Sequence, residues 1–128
     1  MEYVSFVILH YKDYSVTDTC VRSILAMEQQ ERIRIVIVDN DIQKKEKDRQ
    51  ELLQKYQVNS RIKVLQIKEN GGFSYANNQG YQYAREHFGK SYIIVLNNDI
   101  EFTQKDFISR LEKSYVNNQC YVLGPDVI

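Results

Sequence analysis

The stretch Tyr92–Phe102, which reads YIIVLNNDIEF, constrains the chain more than any other. Tyr92-Ile93-Ile94-Val95-Leu96 is an unbroken apolar run rich in β-branched and aromatic residues. That pattern fits a strand buried on both faces within a parallel sheet. The run gives way to Asn97-Asn98-Asp99-Ile100-Glu101. In open α/β sheets the ligand crevice lies outside the carboxyl ends of the strands. An extended exit puts side chains two apart on one face, so Asn97, Asp99 and Glu101 would project together into that crevice. One amide and two carboxylates form a hard-oxygen set suited to Mg²⁺ or Mn²⁺. Asn-Asn-Asp also favours a plain turn through local hydrogen bonds. The segment alone leaves both readings open.

Several classes are excluded early. With 128 residues and 43% hydrophobic content the chain suits a single domain with one core. Lys plus Arg is 17 and Asp plus Glu is 17, which argues against a nucleic-acid binder built on a basic face. No apolar run approaches the roughly 20 residues of a membrane span. Val4–Leu9 is too short for a signal peptide and no basic segment precedes it. Cys20 and Cys120 lie far apart without metal-type spacing, so both are expected as small core residues in a reducing, cytoplasmic setting.

Taken in order, Val4–Leu9 reads as a first buried strand, followed by the loop His10-Tyr11-Lys12-Asp13. Ser15 and Asp18 have the spacing of a capping box. Val16, Cys20, Ile24 and Met27 then recur at helical spacing, predicting a helix over 15–29. Tyr11 suits stacking on a flat ring, or packing on that helix. His10 has no cysteine or second histidine to form a zinc site with. A second strand, Ile33–Val38, ends in Asp39-Asn40-Asp41, where Asp39 is placed either to meet a ribose or base edge or to cap the next helix. The helix expected over 44–56 is polar with a thin apolar edge at Leu52, Leu53 and Tyr56, and its charges read as a solvated face.

A third strand, Ile62–Ile67, leads into Asn70-Gly71-Gly72-Phe73-Ser74, with a helix expected to start near Ser74. Glycines allow close approach of a ligand, and the first backbone N–H groups of a helix attract phosphate. The pattern matches neither the Rossmann nor the P-loop fingerprint. Ala76, Gly80 and Ala84 form a small-residue stripe that lets this helix lie close to a sheet, and Asn77 and Asn78 fall where polar side chains can face the crevice. Thr103 and Asp106 look like a capping pair for a helix over 104–116. Cys120–Leu123 reads as a last short strand. The alternation predicts an α/β domain of three layers, α/β/α, around a mostly parallel, doubly wound sheet with right-handed crossovers.

Four blocks then carry a resemblance: VSFVILHYK at 4–12, Val38-Asp39-Asn40, NGGFSYANNQG at 70–80, and Leu96-Asn97-Asn98-Asp99. Together they resemble the ordered blocks of family-2 glycosyltransferases, the latter two most like the rhamnosyltransferase-type branch. YVLGPDVI at 121–128 resembles the strand that follows. The resemblance implies a GT-A, Rossmann-like fold that binds a UDP-, GDP- or dTDP-sugar and transfers the sugar to a glycan or lipid-linked acceptor hydroxyl, in polysaccharide or cell-surface glycan synthesis. It implies that His10 and Tyr11 line the base pocket and that Asp39 contacts base or ribose. Asn70, Gly71 and Gly72 would lie along the nucleotide, with Asn77 reaching the donor. Asp99 matches the final acid of the family's D-x-D motif, which holds Mg²⁺ or Mn²⁺ on the diphosphate. Asn97 stands where a stricter motif has its first acid, and Glu101 is positioned to compensate. His10 stands where the family commonly has a small hydroxyl residue.

All these blocks belong to the nucleotide-binding half of such enzymes, so residues 1–128 are expected to bind donor without an acceptor half. The alternative is a non-catalytic binding module. Val122, Leu123, Val127 and Ile128 form an apolar terminus that invites a homodimer. The expected location is cytoplasmic, with a peripheral place at the inner membrane face as a variant.

Overall fold

The computed structural model describes residues 2–40, 46–68, 71–89 and 91–118. The expected strand over 120–123 and its apolar terminus lie outside them, as does Asn70. The order is β1 (Tyr3–His10), α1 (Tyr14–Leu25), β2 (Ile33–Asp39), α2 (Glu46–Gln57), β3 (Ile62–Gln66), α3 (Gly72–His87), β4 (Ser91–Asn97) and α4 (Phe107–Asn118). The strands form one sheet in the order β3-β2-β1-β4, and every pairing is parallel. The doubly wound α/β fold expected from the alternation is therefore present.

The burial of each strand follows from its place in that order. β1 has neighbours on both sides, and its residues Val4–His10 are all buried. Such a strand must be apolar on both faces, as VSFVIL is. β3 lies at an edge and exposes Lys63, a charge that discourages further pairing. β4 departs from expectation. Among the described residues it pairs only with β1, and Val95 is 44% exposed. Its apolar run therefore does not by itself place it mid-sheet.

The helices divide unequally between the two faces. Residues of α1, α2 and α4, among them Cys20, Ile24, Leu52, Tyr56 and Ile108, join Phe6, Ile8, Ile35 and Ile37 in one core. Among the described residues only α3 supplies the other face, where Ala76 and Ala84 pack with Val7, Leu9, Val36 and Val38. The small-residue stripe works as expected. A Cβ added at Gly80 would stand 2.4 Å from Val7 Cγ1 and 2.7 Å from Val38 Cγ2, so α3 touches the sheet where it has no side chain.

Three helices, α1, α3 and α4, have boundaries that differ from the expectation. The N-cap of α1 is Asp13, whose Oδ1 accepts from the Ser15 N–H at 2.9 Å. Asp18 does not join a capping box, because its carboxylate accepts from Tyr56 Oη at 2.8 Å and Arg22 Nε at 2.8 Å. α1 also ends at Leu25 rather than near 29, and Gln29, at φ 63°, turns the chain into a single 3-10 turn at Gln30–Arg32. α3 begins two residues before Ser74, at Gly72, while α4 begins at Phe107 rather than 104.

Two predictions follow from this packing. Gly80→Ala gains up to about 1 kcal/mol of helix propensity but drives a methyl into two β-branched side chains of buried strands, at a cost of about 1–3 kcal/mol. The collision is expected to dominate, lowering the urea midpoint. A variant as stable as the parent would contradict the close approach of α3. Burial and the neighbouring Asp99 carboxylate push the Cys20 thiol up to about 12. An unfolded thiol ionises near 8.5. Since the folded chain holds this proton longer, the contribution is present below about pH 8.5 and is lost as pH rises toward 12. Urea midpoints at pH 8 and pH 10 should therefore fall with pH, and Cys20→Ala should reduce the fall. Alkylation of Cys20 at pH 8, mapped by mass spectrometry, should require unfolding.

Candidate functional site

The strand register aligns the carboxyl ends. His10 pairs with Asp39, Leu9 with Asn97, and Asp39 with Gln66. The chain leaves β1 for β2 on one side and returns to pair β4 on the other, so β1 and β4 flank the switch point where such sheets hold ligands. The predicted site residues His10, Tyr11, Asp39, Gly71, Gly72, Asn97 and Asp99 all follow or end strands on this edge.

At the end of β1, His10 is buried, with Nδ1 at 2.5 Å from Thr17 Oγ1 on α1. Tyr11 is 44% exposed. Its ring meets Phe73 edge-on, centroids 6.3 Å apart, and Lys12 Nζ lies 5.2 Å from its centroid. Lys12 has φ 63°, and the Asp13 N–H donates to the Tyr11 carbonyl at 2.9 Å, which closes a sharp turn into α1. Tyr11 thus keeps a partly exposed ring at the carboxyl edge while its backbone is tied down.

Asp39 is less open than a ligand-facing acid would be. Its side chain is only 2% exposed and accepts from Arg49 Nε at 3.2 Å. Arg49 Nη2 also donates to the carbonyls of Asp39 at 3.1 Å and Ile67 at 2.7 Å. One guanidinium therefore joins the ends of β2 and β3 from beneath the edge. Lys47, Asp48, Glu51 and Lys55 form the solvated face expected of α2, and Arg49 is the exception, its side chain only 9% exposed. A signal was present in the spacing: Arg49 lies three and seven residues before Leu52 and Tyr56, on the apolar edge. A buried cation also has to be paired, and Asp39 supplies the charge.

After β3, Gly71 and Gly72 are exposed. Gly72 has φ 78°, a left-handed conformation that suits glycine. A Cβ at Gly71 would stand 2.5 Å from Tyr75 Cγ, so this turn also requires a bare backbone. Gly71 is the N-cap of α3 and offers no side chain to its first N–H groups. One turn in, Asn77 Oδ1 is enclosed without a hydrogen-bond partner among the described residues. A buried acceptor left unpaired costs about 1–3 kcal/mol, a penalty that a donor group on a ligand or a water would relieve.

The exit from β4 is not extended. Asn98 and Asp99 form a turn, so the alternation that would have put Asn97, Asp99 and Glu101 on one face is broken. The following segment runs along α1: the Phe102 N–H donates to Ser23 Oγ at 3.0 Å, and the Glu28 N–H to the Lys105 carbonyl at 2.9 Å. Asn97, Asp99 and Glu101 are all exposed. Among the described residues no group of three His, Cys, Asp or Glu side chains could enclose a metal. The donor set still fits Mg²⁺ or Mn²⁺, because such ions are commonly held by one or two carboxylates together with substrate phosphates and waters. Thr17 and Asn98 were also missed. Asn98 Nδ2 donates to the Tyr11 carbonyl at 3.1 Å and to Thr17 Oγ1 at 3.0 Å.

Comparison with solved structures supports the fold. Crystal structures of S. aureus TarS, as residues 1–349 and as TarS, each superpose on the whole of this chain with a TM-score of 0.67 at 15% identity. The chain spans 38% and 23% of those two chains. Among curated proteins there is no significant sequence match. The family model described as "Glycosyl transferase family 2" matches residues 5–127. With nearly its whole length matched to that model, on an all-parallel sheet whose polar loops share one edge, the chain belongs to glycosyltransferase family 2.

Proposed function

We propose that this chain binds a nucleotide-diphosphate sugar at the carboxyl edge of the sheet and forms the donor-binding part of a glycosyltransferase. The observation that carries this reading is the convergence of Tyr11, Asp39, the Gly71-Gly72 turn and Asp99 on the edge where β1 and β4 part. The exposed Tyr11 ring suits stacking on the base, with His10 behind it. Asp39, oriented by Arg49, offers an acceptor to the nucleoside. The bare N-terminus of α3 and its glycine turn suit the diphosphate, Asn70 included. Asn77 Oδ1 suits a hydroxyl donor on the sugar. Asp99 is the carboxylate ligand for Mg²⁺ or Mn²⁺ in this reading, with the donor phosphates and waters completing the shell.

Glycosyl transfer requires departure of a nucleoside diphosphate, and a bound divalent ion would neutralise the charge developing on it. The contribution of these residues is to bind and orient the donor. The accepting hydroxyl also needs a general base, and we assign that role to no residue of this chain. The acceptor class is a glycan or lipid-linked hydroxyl, with the pathway one of polysaccharide or cell-surface glycan synthesis. We place the protein in the cytoplasm, at the inner membrane face where the acceptor is lipid-linked. Among the described residues no helix is long and apolar enough to cross a membrane.

Calorimetric titration of UDP, GDP and dTDP, with and without Mn²⁺, tests the site. One nucleotide should bind more tightly with Mn²⁺, and Asp99→Ala should remove that gain. Equal affinity of parent and variant at saturating Mn²⁺ contradicts the role of Asp99. For Asp39 the informative variant is Asp39→Asn, which removes the carboxylate charge but keeps an oxygen that can accept from Arg49 Nε, whereas alanine would remove both beneath a buried cation at a cost of about 3–5 kcal/mol. Asp39→Asn is expected to weaken the nucleoside mono- and diphosphate alike, by about 1.5–3 kcal/mol. A change in sugar preference alone would refute a nucleoside contact.

A further inference from the structure

The middle residue of Asn97-Asn98-Asp99 has a distinct task. An amide nitrogen carries two hydrogens, and Asn98 Nδ2 has one acceptor for each, the Tyr11 carbonyl at 3.1 Å and Thr17 Oγ1 at 3.0 Å. A backbone carbonyl only accepts, so its position fixes which way round the amide lies. With both hydrogens engaged, Asn98 has no donor left for a ligand. Thr17 is fully buried although its hydroxyl is polar, and that hydroxyl also stands 2.5 Å from His10 Nδ1. The chain of contacts His10, Thr17, Asn98 thus joins the end of β1, the first turn of α1 and the turn after β4.

We infer that Thr17 and Asn98 are positioning residues that lock the turn bearing Asp99 against the loop bearing Tyr11. Tyr11 and Asp99 flank the switch point, and the two serve opposite ends of a nucleoside diphosphate. A turn with exposed Asp99 and Ile100 has little packing to hold it. The Asn98 amide supplies a directional tie in place of packing, and the buried hydroxyl of Thr17 supplies the fixed point. The lock sets the spacing between base and metal, and so the extent to which Mn²⁺ and nucleotide assist each other's binding. This inference rests on the donor-site reading above.

The test is the factor by which saturating Mn²⁺ raises UDP affinity in the 128-residue chain, measured by calorimetry for the parent, Thr17→Val, Thr17→Ser and Asn98→Ala. GDP and dTDP replace UDP if either is the nucleotide that binds. Valine keeps the shape of threonine without its hydroxyl, and serine restores the hydroxyl. The Mn²⁺ enhancement is expected to fall about tenfold in Thr17→Val and Asn98→Ala, the scale of a lost hydrogen bond, and to return in Thr17→Ser. A loss of stability alone leaves this ratio unchanged in the folded molecules, whose fraction circular dichroism reports. If Thr17→Val does not fold, Asn98→Ala decides. Parent-like enhancement in Asn98→Ala, or a loss in Thr17→Ser equal to that in Thr17→Val, overturns the inference. A parent chain that binds none of the three nucleotides overturns the donor-site reading, and this inference with it.

Discussion

The pairing of β1 with both β2 and β4 is the constraint on which the other features depend. A strand flanked on both sides must bury both faces, and Val4–His10 do so. That burial requires helices above and below the sheet. The crossovers from β1 to β2 and from β2 to β3 lay α1 and α2 on one face. The return from β3 to β4 passes over β2 and β1 on the other face, where α3 touches Val7 and Val38 through Gly80. The chain adds β2 and β3 on one side of β1 and β4 on the other, so the switch in strand order falls between β1 and β4. The site is thus a consequence of strand order.

Three polar side chains stabilise that edge from within. Arg49 draws the ends of β2 and β3 together, and its charge is balanced by Asp39. Thr17 and Asn98 join β1, α1 and the turn after β4. In a low-dielectric interior such bonds are directional and costly to break. They hold loops whose exposed residues, Tyr11, Gly72 and Asp99, have little apolar packing of their own. The division of labour is physical: buried polar groups fix the backbone, and exposed ones remain available to a ligand.

Much of this was legible in the chain. The β-branched runs marked all four strands, and the stripe Ala76, Gly80, Ala84 marked the helix that lies closest to the sheet. Helix ends were read less well. Asp13 and Ser15 compete for the same cap, and Asp18 was claimed by Tyr56 and Arg22 from outside any local motif. The extended exit after Leu96 was wrong because Asn98 found partners 87 and 81 residues away, and those bonds favour a turn.

Local pattern therefore determined the elements, their parallel arrangement and the side of the sheet where polar residues collect. These follow from periodicity and connection length, which are properties of neighbouring residues. The tertiary structure alone decided which polar side chains stay exposed at that edge and which are enclosed by partners. Asp39 and Asp99 look alike in the sequence, each an acid just beyond an apolar strand. Arg49 encloses one of them, while the other stays exposed on a turn. That difference depends on a contact between separate elements, and local spacing marks Arg49 for the apolar edge of α2 without naming its partner.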